Sequence, residues 1–526
     1  MLESISYSAL TIFYICFVAT VLPYILQMFQ QNRYEVYRLY KWALKQKKSF
    51  VPMILSSLIA FGLAYVLSHQ FSPHIASIVL IWYFVIVLGF YIFRQNKKKS
   101  IKPLVLTWRV RRQILVLIIL NAIVFFTITL NLPHYWFYLA VVCWPLQWML
   151  MVLTAWITAP IEAMVRNQFK QKAKKELNDI HPITIGITGS FGKTSAKTIL
   201  RDVLSQKYIT LMTPGSFNTP MGITRTIREY LKPIHQVFIC EMGADHVGDI
   251  KELMNFVTPK YGLVTSIGEQ HLNTFRSLKN IINEKMKEIE MLPSDGVGFL
   301  NLDNEYIRNY EIQNNCKTVS FAIDYPADYQ AINITYSNEG STFEVANDGV
   351  AYPFKTRLLG KNNVSNILAA VAIARELGLS WTQIIHAVAG VQAVEHRLQK
   401  RIINGYTFID NAFNSNPVGA ATSLEVMQQM NGQRIIVTPG FIDMGSKQDY
   451  YNHTFGTQMK DHVDWVILVG PTQTKAIYDG LKESGFDMDH VLVVKNVDEA
   501  FTYVYTHFTR NDTILLENDL PDAFSY

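Results

Sequence analysis

The distribution of apolar residues divides the chain into two parts. Within the first third, five runs contain no Lys, Arg, Asp or Glu, and each is about long enough to cross the hydrocarbon core of a bilayer. These runs are 7–29, 50–67, 75–93, 113–130 and 135–158. The pattern predicts a transmembrane helical domain of about five spans over residues 1–165.

From residue 181 onward, short β-branched runs alternate with helical stretches. The predicted strands are 183–187, 236–240, 261–266, 297–300 and 318–321, followed by 407–410, 434–438, 465–469, 490–494 and 513–516. This alternation predicts mostly parallel sheets with helices on both faces. Residues 331–354 alternate polar and apolar positions between turn signals, which indicates an antiparallel insert.

A break in the pattern near residues 392–401 separates two α/β units. We therefore expect four segments along the chain. They are the helical membrane domain 1–165, a basic linker 166–180, a central α/β domain 181–394 and a C-terminal, Rossmann-like α/β domain 395–526.

Charge gives the predicted membrane domain an orientation. Residues 1–175 carry 19 basic and 3 acidic side chains, whereas the remainder carries 29 basic and 39 acidic ones. The basic residues lie in 30–49, 94–112 and 166–175, and the short loops 68–74 and 131–134 have none. By the positive-inside rule, the N-terminus lies outside and everything after the fifth span lies in the cytoplasm. The positive charge is therefore explained by membrane topology and by contact with anionic lipid headgroups, rather than by binding to nucleic acid.

The most informative motif follows the apolar run 183–187 and precedes a predicted helix at about 193–204. It reads Thr-Gly-Ser-Phe-Gly-Lys-Thr over residues 188–194. In such a loop, glycines let backbone N–H groups face phosphate oxygens, the lysine adds charge at the terminal phosphates, and the last hydroxyl can hold Mg²⁺. The motif predicts an ATP site formed by Thr188, Gly189, Ser190, Gly192, Lys193 and Thr194. The first glycine of the general pattern is replaced by Ile187.

This shortened loop resembles that of the Mur ligase family, whose members use ATP to join amino acids or peptides to cell-wall precursors. The segment Glu-Met-Gly-Ala-Asp-His over 241–246 resembles the MurF branch, which adds D-alanyl-D-alanine. The resemblance implies that Glu241 and Thr194 bind Mg²⁺, with His271 as a further, catalytic metal ligand. Lys285 falls at the family's carbamylated lysine, and its neighbour Lys287 is the alternative.

Three later segments extend the resemblance. The run Asn-Asn-Val-Ser-Asn over 362–366 implies that Asn363 lies at the nucleotide base. The segment Glu-His-Arg-Leu over 395–398 implies that Arg397 reaches the γ-phosphate as a catalytic residue. The segment 410–417 implies nucleotide contacts from Asp410 and Asn414 in the C-terminal domain.

The chain also departs from the family. Membrane spans stand where the family carries its domain for uridine diphosphate, and Asn411 and Phe413 differ from the motif around them. Residues 516–522 are acidic where MurF is basic. Asp443, Asp519 and Asp522 are therefore candidates for holding an incoming amine, the alternative being that they are solvated loop carboxylates.

The family mechanism implies that a substrate carboxylate attacks the γ-phosphate of Mg-ATP, forming an acyl phosphate from which an amine displaces phosphate. We expect a multi-pass cell-membrane ligase with cytoplasmic catalytic domains. Its substrates are expected to be an amino acid or short peptide and a carboxylate-bearing, polyprenyl-linked glycan. The alternatives are a tethered ligase for UDP-linked muropeptide or for an amino-acid polymer, and a regulatory ATPase with partner proteins in an envelope-assembly complex.

Overall fold

The computed structural model describes residues 2–45, 103–131, 137–270, 272–413, 415–442, 444 and 447–518, and scattered residues between 54 and 89. The chain forms two compact units, Met1–Gln168 and Phe169–Tyr526.

The first unit is helical in its described part. Its helices are α1 (Leu2–Gln31), α2 (Val36–Lys45), α3 (Trp108–Asn131) and α4 (Phe137–Ile180), the last of which continues beyond the unit. Apolar side chains such as Phe17, Val21, Leu117 and Met151 form its core.

Two stretches of these helices, Trp108–Thr127 and Leu146–Ile180, are long and apolar enough to cross a membrane, judged by length and composition alone. The predicted span 7–29 lies within α1, and about half of the residues in each of the predicted spans 50–67 and 75–93 lie outside the described residues. Residues 166–180, which we expected to be a linker, are helical throughout as the end of α4. No Gly or Pro interrupts residues 161–180, which are rich in good helix formers.

The central part of the second unit is an α/β layer structure. Its sheet has the order β2-β3-β1-β4-β5-β6-β7-β8-β9 among the described residues, with β7 to β9 antiparallel and the other strands parallel. The strands are β1 (Ile183–Thr188), β2 (Thr210–Met212), β3 (Val237–Glu241), β4 (Tyr261–Val264), β5 (Val297–Asn301), β6 (Lys317–Ala322), β7 (Tyr329–Ser337), β8 (Gly340–Asn347) and β9 (Val350–Thr356). The helices are α5 (Lys193–Leu204), α6 (Pro220–Tyr230), α7 (Asp249–Val257), α8 (Leu272–Phe275), α9 (Leu278–Glu290), α10 (Glu305–Arg308), α11 (Lys361–Glu376) and α12 (Trp381–Gly390).

The C-terminal part has a second sheet, of order β10-β11-β15-β12-β13-β14, in which only the β10–β11 pair is antiparallel. Its strands are β10 (Gln399–Ile403), β11 (Tyr406–Asn411), β12 (Arg434–Thr438), β13 (Trp465–Val469), β14 (Val491–Val494) and β15 (Thr513–Glu517). Its α-helices are α13 (Pro417–Met427), α14 (Gln448–Gln458), α15 (Lys475–Glu483) and α16 (Val497–His507). The alternating pattern therefore predicted the fold class of both parts correctly. It missed β2, which has three residues, and the largely exposed edge strand β10.

This topology brings separate motifs to one edge of the first sheet. Strand β1 lies between β3 and β4, with Ile187 paired to Glu241 and Thr188 paired to Val264. The loops after the three strands therefore leave the sheet side by side at its carboxyl edge, where open α/β sheets bind their ligands.

Candidate active site

The loop after β1 has the backbone shape of a phosphate-binding loop. Gly189 has φ 148° and Gly192 has φ 83°, which L side chains rarely adopt. A Cβ at Gly189 would lie 2.1 Å from the Thr265 hydroxyl oxygen, so the loop needs glycine there for space as well. The helix α5 begins directly after Gly192, and its free N–H groups add positive potential at the loop.

The loop is fastened to the segment that follows β4. The Ser190 hydroxyl donates to the Gly268 carbonyl oxygen at 3.0 Å and accepts from the Gly268 N–H at 3.1 Å. The N–H of Phe191 donates to the Ser266 hydroxyl at 3.1 Å. Thr188 is fully buried and donates to the Met242 carbonyl at 3.0 Å, so its side chain supports the loop from below.

Lys193 points back onto the loop. Its Nζ donates to the carbonyl oxygens of Gly189 at 2.6 Å and Ser190 at 3.2 Å. Burial lowers the pKa of Lys193, and the neighbouring charge of Glu241 opposes that shift. The ammonium therefore lies against the loop that is expected to bind phosphates.

Glu241, at the end of β3, is the buried carboxylate of the site, with 1% of its surface exposed. It accepts hydrogen bonds from Thr194 Oγ1 at 3.1 Å, Asn218 Nδ2 at 3.2 Å and Lys197 Nζ at 2.8 Å. Burial alone would raise the pKa of Glu241, but the charges of Lys197 and Lys193 lower it overall. The carboxylate is therefore held as an anion beside the Thr194 hydroxyl.

The oxygen donors of Glu241 and Thr194 fit Mg²⁺, which is commonly bound by one or two carboxylates together with substrate phosphates and water. Within the described part of the chain, no group of three His, Cys, Asp or Glu side chains is placed to hold a metal ion. His271 lies outside the described residues, as do Asn414, Asp443, Asp519 and Asp522.

Lys197 is a functional candidate that the sequence interpretation missed. It lies one turn after Lys193 on α5, is 1% exposed, and also donates to the Gly215 carbonyl at 2.7 Å. A buried lysine is rare unless it is paired. The sequence did contain a signal for its burial, because Lys197 lies among the apolar residues of the inner face of α5.

Lys285 and Glu288 form a second buried charged group on α9. Both are at most 1% exposed, and neither side-chain charge has a hydrogen-bond partner among the described residues. Burial, assisted by the charge of Lys193, lowers the pKa of Lys285 to about 7. Burial raises the pKa of Glu288 to about 8, against the opposing charge of Lys285.

The alternative to Lys285, Lys287, has a different environment. Its Nζ bonds the Glu284 carboxylate at 2.5 Å, and its side chain is 28% exposed. Lys285 is buried and its pKa responds to the charge of Lys193, whereas Lys287 is partly exposed and paired with Glu284.

Arg397 approaches the same centre from the C-terminal part. Its guanidinium lies 4.8 Å from the centroid of the Phe413 ring. Burial lowers the pKa of Arg397, and Glu241 is the charge that opposes this shift. Arg397 is thus electrostatically coupled to Glu241 although the two residues lie in different domains.

The other predicted nucleotide residues have local partners. Asn363 is buried and donates to the Leu359 carbonyl at 2.9 Å. Asp410 accepts from His396 at 2.8 Å and from Arg401 at 3.3 Å. The Asn366 side chain lies against the phosphate loop, with its Oδ1 3.2 Å from where a Cβ at Gly192 would be.

Glu517, at the end of β15, was also missed as a buried charge. It is fully buried and accepts from Asn411 Nδ2 at 3.1 and 2.9 Å, from Ser423 at 2.5 Å and from Ser415. Burial raises the pKa of Glu517, and these hydrogen bonds oppose the shift. The carboxylate joins the ends of β11 and β15 at the edge of the second sheet.

Comparison with known proteins agrees with this geometry. Residues 187–374 match the Mur ligase middle domain, and residues 396–517 match the Mur ligase glutamate ligase domain. The chain is 26% identical over 352 residues to the UDP-N-acetylmuramoyl-tripeptide–D-alanyl-D-alanine ligase of Bacillus subtilis, covering 66% of this chain and 75% of that protein. It is 28% identical over 290 residues to the Escherichia coli ligase of the same name, covering 54% of this chain and 64% of the relative.

Solved structures share the fold of the second unit. MurF from Acinetobacter baumannii matches with a TM-score of 0.61 and 24% identity, covering 67% of this chain and 77% of that one. MurF from Thermotoga maritima, solved in complex with ADP, matches with a TM-score of 0.60 and 21% identity, covering 67% and 80%. Both domain matches include the strand-end motifs described above. The chain therefore belongs to the Mur ligase family of ATP-dependent amide ligases.

Proposed function

We propose that this protein is a membrane-bound ligase that activates a carboxylate as an acyl phosphate and joins it to the amine of an amino acid or short peptide. The carboxylate belongs to a lipid-linked precursor of the cell envelope at the cytoplasmic face. The observation that carries the proposal is the buried Glu241 carboxylate, held between Thr194 and Lys197 directly beside the phosphate loop.

In this proposal Lys193 exchanges the carbonyl oxygens of its loop for the terminal phosphates of ATP. Arg397 neutralises the charge that develops when the carboxylate oxygen attacks phosphorus and ADP leaves. Cations that are already in place do not have to reorganise during the reaction. Electrostatic stabilisation of this kind is usually the largest single contribution to the rate enhancement of an enzyme. Thr194 and Glu241 hold Mg²⁺, which supplies Lewis-acid stabilisation of the phosphates. His271 is proposed as a further metal ligand.

Lys285 is proposed to be carbamylated. Carbamate formation needs the neutral amine as nucleophile, since its lone pair attacks the carbon of CO₂ and a proton is released. A pKa of about 7 leaves a large fraction of Lys285 neutral under physiological conditions. The product is an anion that would compensate the positive charge of Lys193 and of the metal.

The nucleotide base and ribose are assigned to the region between the two domains. Asn363 lies at the start of α11, and Asp410 at the end of β11. Asp410 acts in this scheme by orienting His396 and Arg401, which it already binds. Asn414 is proposed as a further contact from the same motif.

A membrane location is supported by the arrangement of side chains in the first unit. Polar residues face inward, where Asn121 and Gln147 exchange amide hydrogen bonds at 2.7 and 3.2 Å and Tyr14 donates to Asn121 at 2.9 Å. Large apolar residues on α3 face outward, including Leu115 at 59% and Phe126 at 58% exposure. Apolar side chains thus cover the outside of α3 as well as forming the core of the unit, and the buried amides bond each other, which suits helices surrounded by lipid.

The acceptor follows from this location and from the relatives. The Bacillus subtilis and Escherichia coli relatives are named for a UDP-linked muropeptide, so a peptidoglycan-type precursor is the chemical class proposed here. The lipid-linked form is preferred because long apolar helices occupy much of the described part of the first third of this chain. The soluble UDP-linked form, which the names of the relatives favour, is the second candidate.

The test uses the full chain purified in detergent, with Mg-ATP and a panel of amino acids and dipeptides. The acceptor is either a polyprenyl-linked glycan peptide or the UDP-linked muropeptide, and phosphate release and the mass of the product are measured. Release that requires an amine and the lipid-linked acceptor supports the proposal, whereas release with the UDP-linked acceptor alone supports the second candidate. Release that depends on neither acceptor overturns both in favour of a regulatory ATPase.

A further inference from the structure

A cluster outside the predicted nucleotide contacts links the two ligase domains. Glu269 lies in the segment after β4 of the central domain. Its carboxylate binds Lys447 Nζ at 2.9 and 2.7 Å and accepts from the Tyr451 hydroxyl at 2.6 Å. Lys447 directly precedes α14 and Tyr451 lies in its first turn, so both partners belong to the C-terminal domain.

The segment that carries Glu269 also touches the phosphate loop. Gly268, its direct neighbour, exchanges two hydrogen bonds with Ser190, and the Phe191 ring lies 3.0 Å from where a Cβ at Gly268 would be. A continuous chain of contacts therefore runs from Tyr451 and Lys447 through Glu269 to the loop that precedes Lys193.

The electrostatics agree with a formed ion pair. Both donors meet the same carboxylate, so that Lys447 neutralises its charge and Tyr451 adds a neutral hydrogen bond. Burial and the bond to Glu269 raise the pKa of Tyr451 to about 12, which keeps its hydroxyl a donor. The pair is partly exposed, with 48% of the Lys447 side chain and 29% of the Glu269 side chain accessible, so it can open and close without burying an uncompensated charge.

We propose that Glu269, Lys447 and Tyr451 form a clasp that positions the C-terminal domain against the phosphate loop during turnover. This inference rests on the proposed function. In this proposal Glu269 is a positioning residue that acts through Gly268 and Ser190. Closing the clasp brings the domain that carries Arg397 onto the central domain and keeps water from the activated carboxylate.

Contacts made by two other residues across the domains, Asn362 and Lys400, do not involve the segment bonded to Ser190. Asn362 donates to the Thr422 hydroxyl at 2.9 Å, and Lys400 binds the Asn338 carbonyl at 2.8 Å and the Glu339 carboxylate at 3.0 Å. These contacts involve α11 and the β7–β8 turn, whereas the clasp involves the segment bonded to Ser190. We therefore expect the clasp, unlike these contacts, to affect coupling between ATP use and ligation.

The chain offers a closely matched control for Glu269→Gln. Glu376 binds Lys317 at the same 2.7 Å distance as the shorter Glu269–Lys447 contact, and its side chain is 26% exposed, but both partners lie in the central domain. Glu376→Gln therefore removes a similar ion pair that does not join the domains. The charge exchange Glu269→Lys with Lys447→Glu tests whether the pair itself is what matters.

The first measurement compares amine-dependent ligation with phosphate release in the absence of amine. We expect Glu269→Gln and Lys447→Glu each to lower kcat of ligation by about tenfold, a barrier change of about 1.4 kcal/mol, with a smaller change in KM for ATP. The fraction of ATP hydrolysed without ligation should rise, and the double exchange should recover much of the lost rate. Glu269→Gln behaving like Glu376→Gln, or no recovery in the double exchange, would overturn the proposal.

A second measurement does not require any ligase activity. Amide hydrogen exchange of the full chain is followed in segments 266–270 and 447–451, with and without Mg-ATP. Faster exchange in both segments in Glu269→Gln, but not in Glu376→Gln, supports the clasp, and unchanged exchange overturns it. Failure of the proposed function would instead appear as absent ligation in the wild-type chain with every acceptor.

Discussion

Two buried glutamates end parallel strands in the two ligase domains, and their surroundings are opposite. Glu241 ends β3 among cations, with Lys197 bonded to it and Lys193 close enough to influence its charge. Glu517 ends β15 among neutral donors, the side chains of Asn411, Ser415 and Ser423. The net effect lowers the pKa of Glu241 and raises that of Glu517.

We call the carboxyl edge of the first sheet, where Glu241 lies, the reactive edge, and the carboxyl edge of the second sheet, where Glu517 lies, the supporting edge. The first sheet concentrates positive charge where an anionic substrate and a divalent cation are proposed to bind. At β15 the second sheet uses a carboxylate only as an acceptor that ties neighbouring loops together. In the proposed mechanism the same strand-end position takes part in the chemistry in one domain and has a structural role in the other, so substitutions should affect the two edges differently.

The largest expected effect is at the reactive edge. Lys193→Ala removes the cation that already contacts the phosphate loop, so we expect amine-dependent phosphate release to fall by at least about 10³-fold. The control is Lys251→Ala, which removes an exposed lysine from α7 of the same domain. Turnover of Lys193→Ala at the control level would contradict the assignment of this loop to ATP.

The next effect distinguishes two neighbouring lysines. Lys285→Gln removes the buried amine, and we expect a loss of about 10²-fold in ligation, comparable to removal of a group that supports a metal site. Lys287→Gln keeps a hydrogen-bond donor for the buried Glu284 carboxylate and should leave the rate within about twofold.

Carbamylation is measured separately by carbon-13 NMR of protein equilibrated with labelled bicarbonate. A carbamate signal in the wild type that disappears in Lys285→Gln and persists in Lys287→Gln is expected. Because Lys285 has a pKa of about 7, the signal should grow as pH rises through that value. A signal that is lost in Lys287→Gln instead would transfer the role to Lys287.

A smaller effect is expected from substitution of Lys197, the cation bonded to Glu241. Lys197→Met leaves that buried carboxylate without its ion-pair partner, which typically costs about 3 to 5 kcal/mol of folding stability. Lys207→Met is the control, since Lys207 donates only to the backbone carbonyls of Leu377 and Gly378 in its hydrogen bonds.

Mg-ATP should offset part of the loss in Lys197→Met because a bound cation replaces the missing ammonium near Glu241. We therefore expect a larger increase in Tm on adding Mg-ATP for Lys197→Met than for the wild type or Lys207→Met. Equal increases in all three proteins would mean that the metal does not approach Glu241.

The sequence predicted the reactive edge better than the contacts that support it. The phosphate loop and α5 are local features, in which a strand, glycines and a helix follow each other directly, and the structure has the helix at the expected residues. The ion pair of Lys197 joins positions 44 residues apart, and that of Glu269 joins positions 178 residues apart. Neither pairing is encoded in a local pattern, because it arises only when the strands and domains come together.

The sequence also did not reveal that some charged residues are buried. Glu288 lies in the charged segment 284–290, which resembles an exposed helix face. It is buried because Gly186 of β1 leaves room for it: a Cβ there would lie 1.9 Å from a Glu288 carboxylate oxygen. Similarly, the acidic segment 516–522 suggested an amine-binding surface, whereas the Glu517 carboxylate is buried and bonded by the side chains of Asn411 and Ser415.

The smallest expected effect is at the supporting edge. Glu517→Gln replaces the carboxylate with an amide of similar shape. The hydroxyls of Ser415 and Ser423 can rotate to accept hydrogen bonds from the amide N–H groups. We expect a change of about 1 kcal/mol or less in stability. The sign should depend on pH: because folding raises the pKa of Glu517, the wild type loses stability as pH rises from the ordinary glutamate value through the raised one. Glutamine carries no such penalty, so the variant should gain relative stability over that range.

Glu241→Gln should show the opposite dependence. Folding lowers the pKa of Glu241, so its charge stabilises the wild type above the ordinary glutamate value, and this contribution disappears as pH falls through the lowered one. Hydrogen exchange is followed in β3 at pH values from 4.5, the ordinary glutamate pKa, downward, and in β15 at pH values from 4.5 upward, which are the ranges over which the two shifts act. If both lose protection in the same direction with pH, the contrast between a charged reactive edge and a neutral supporting edge is wrong. Opposite trends would show that the two domains use the same strand-end carboxylate for different purposes.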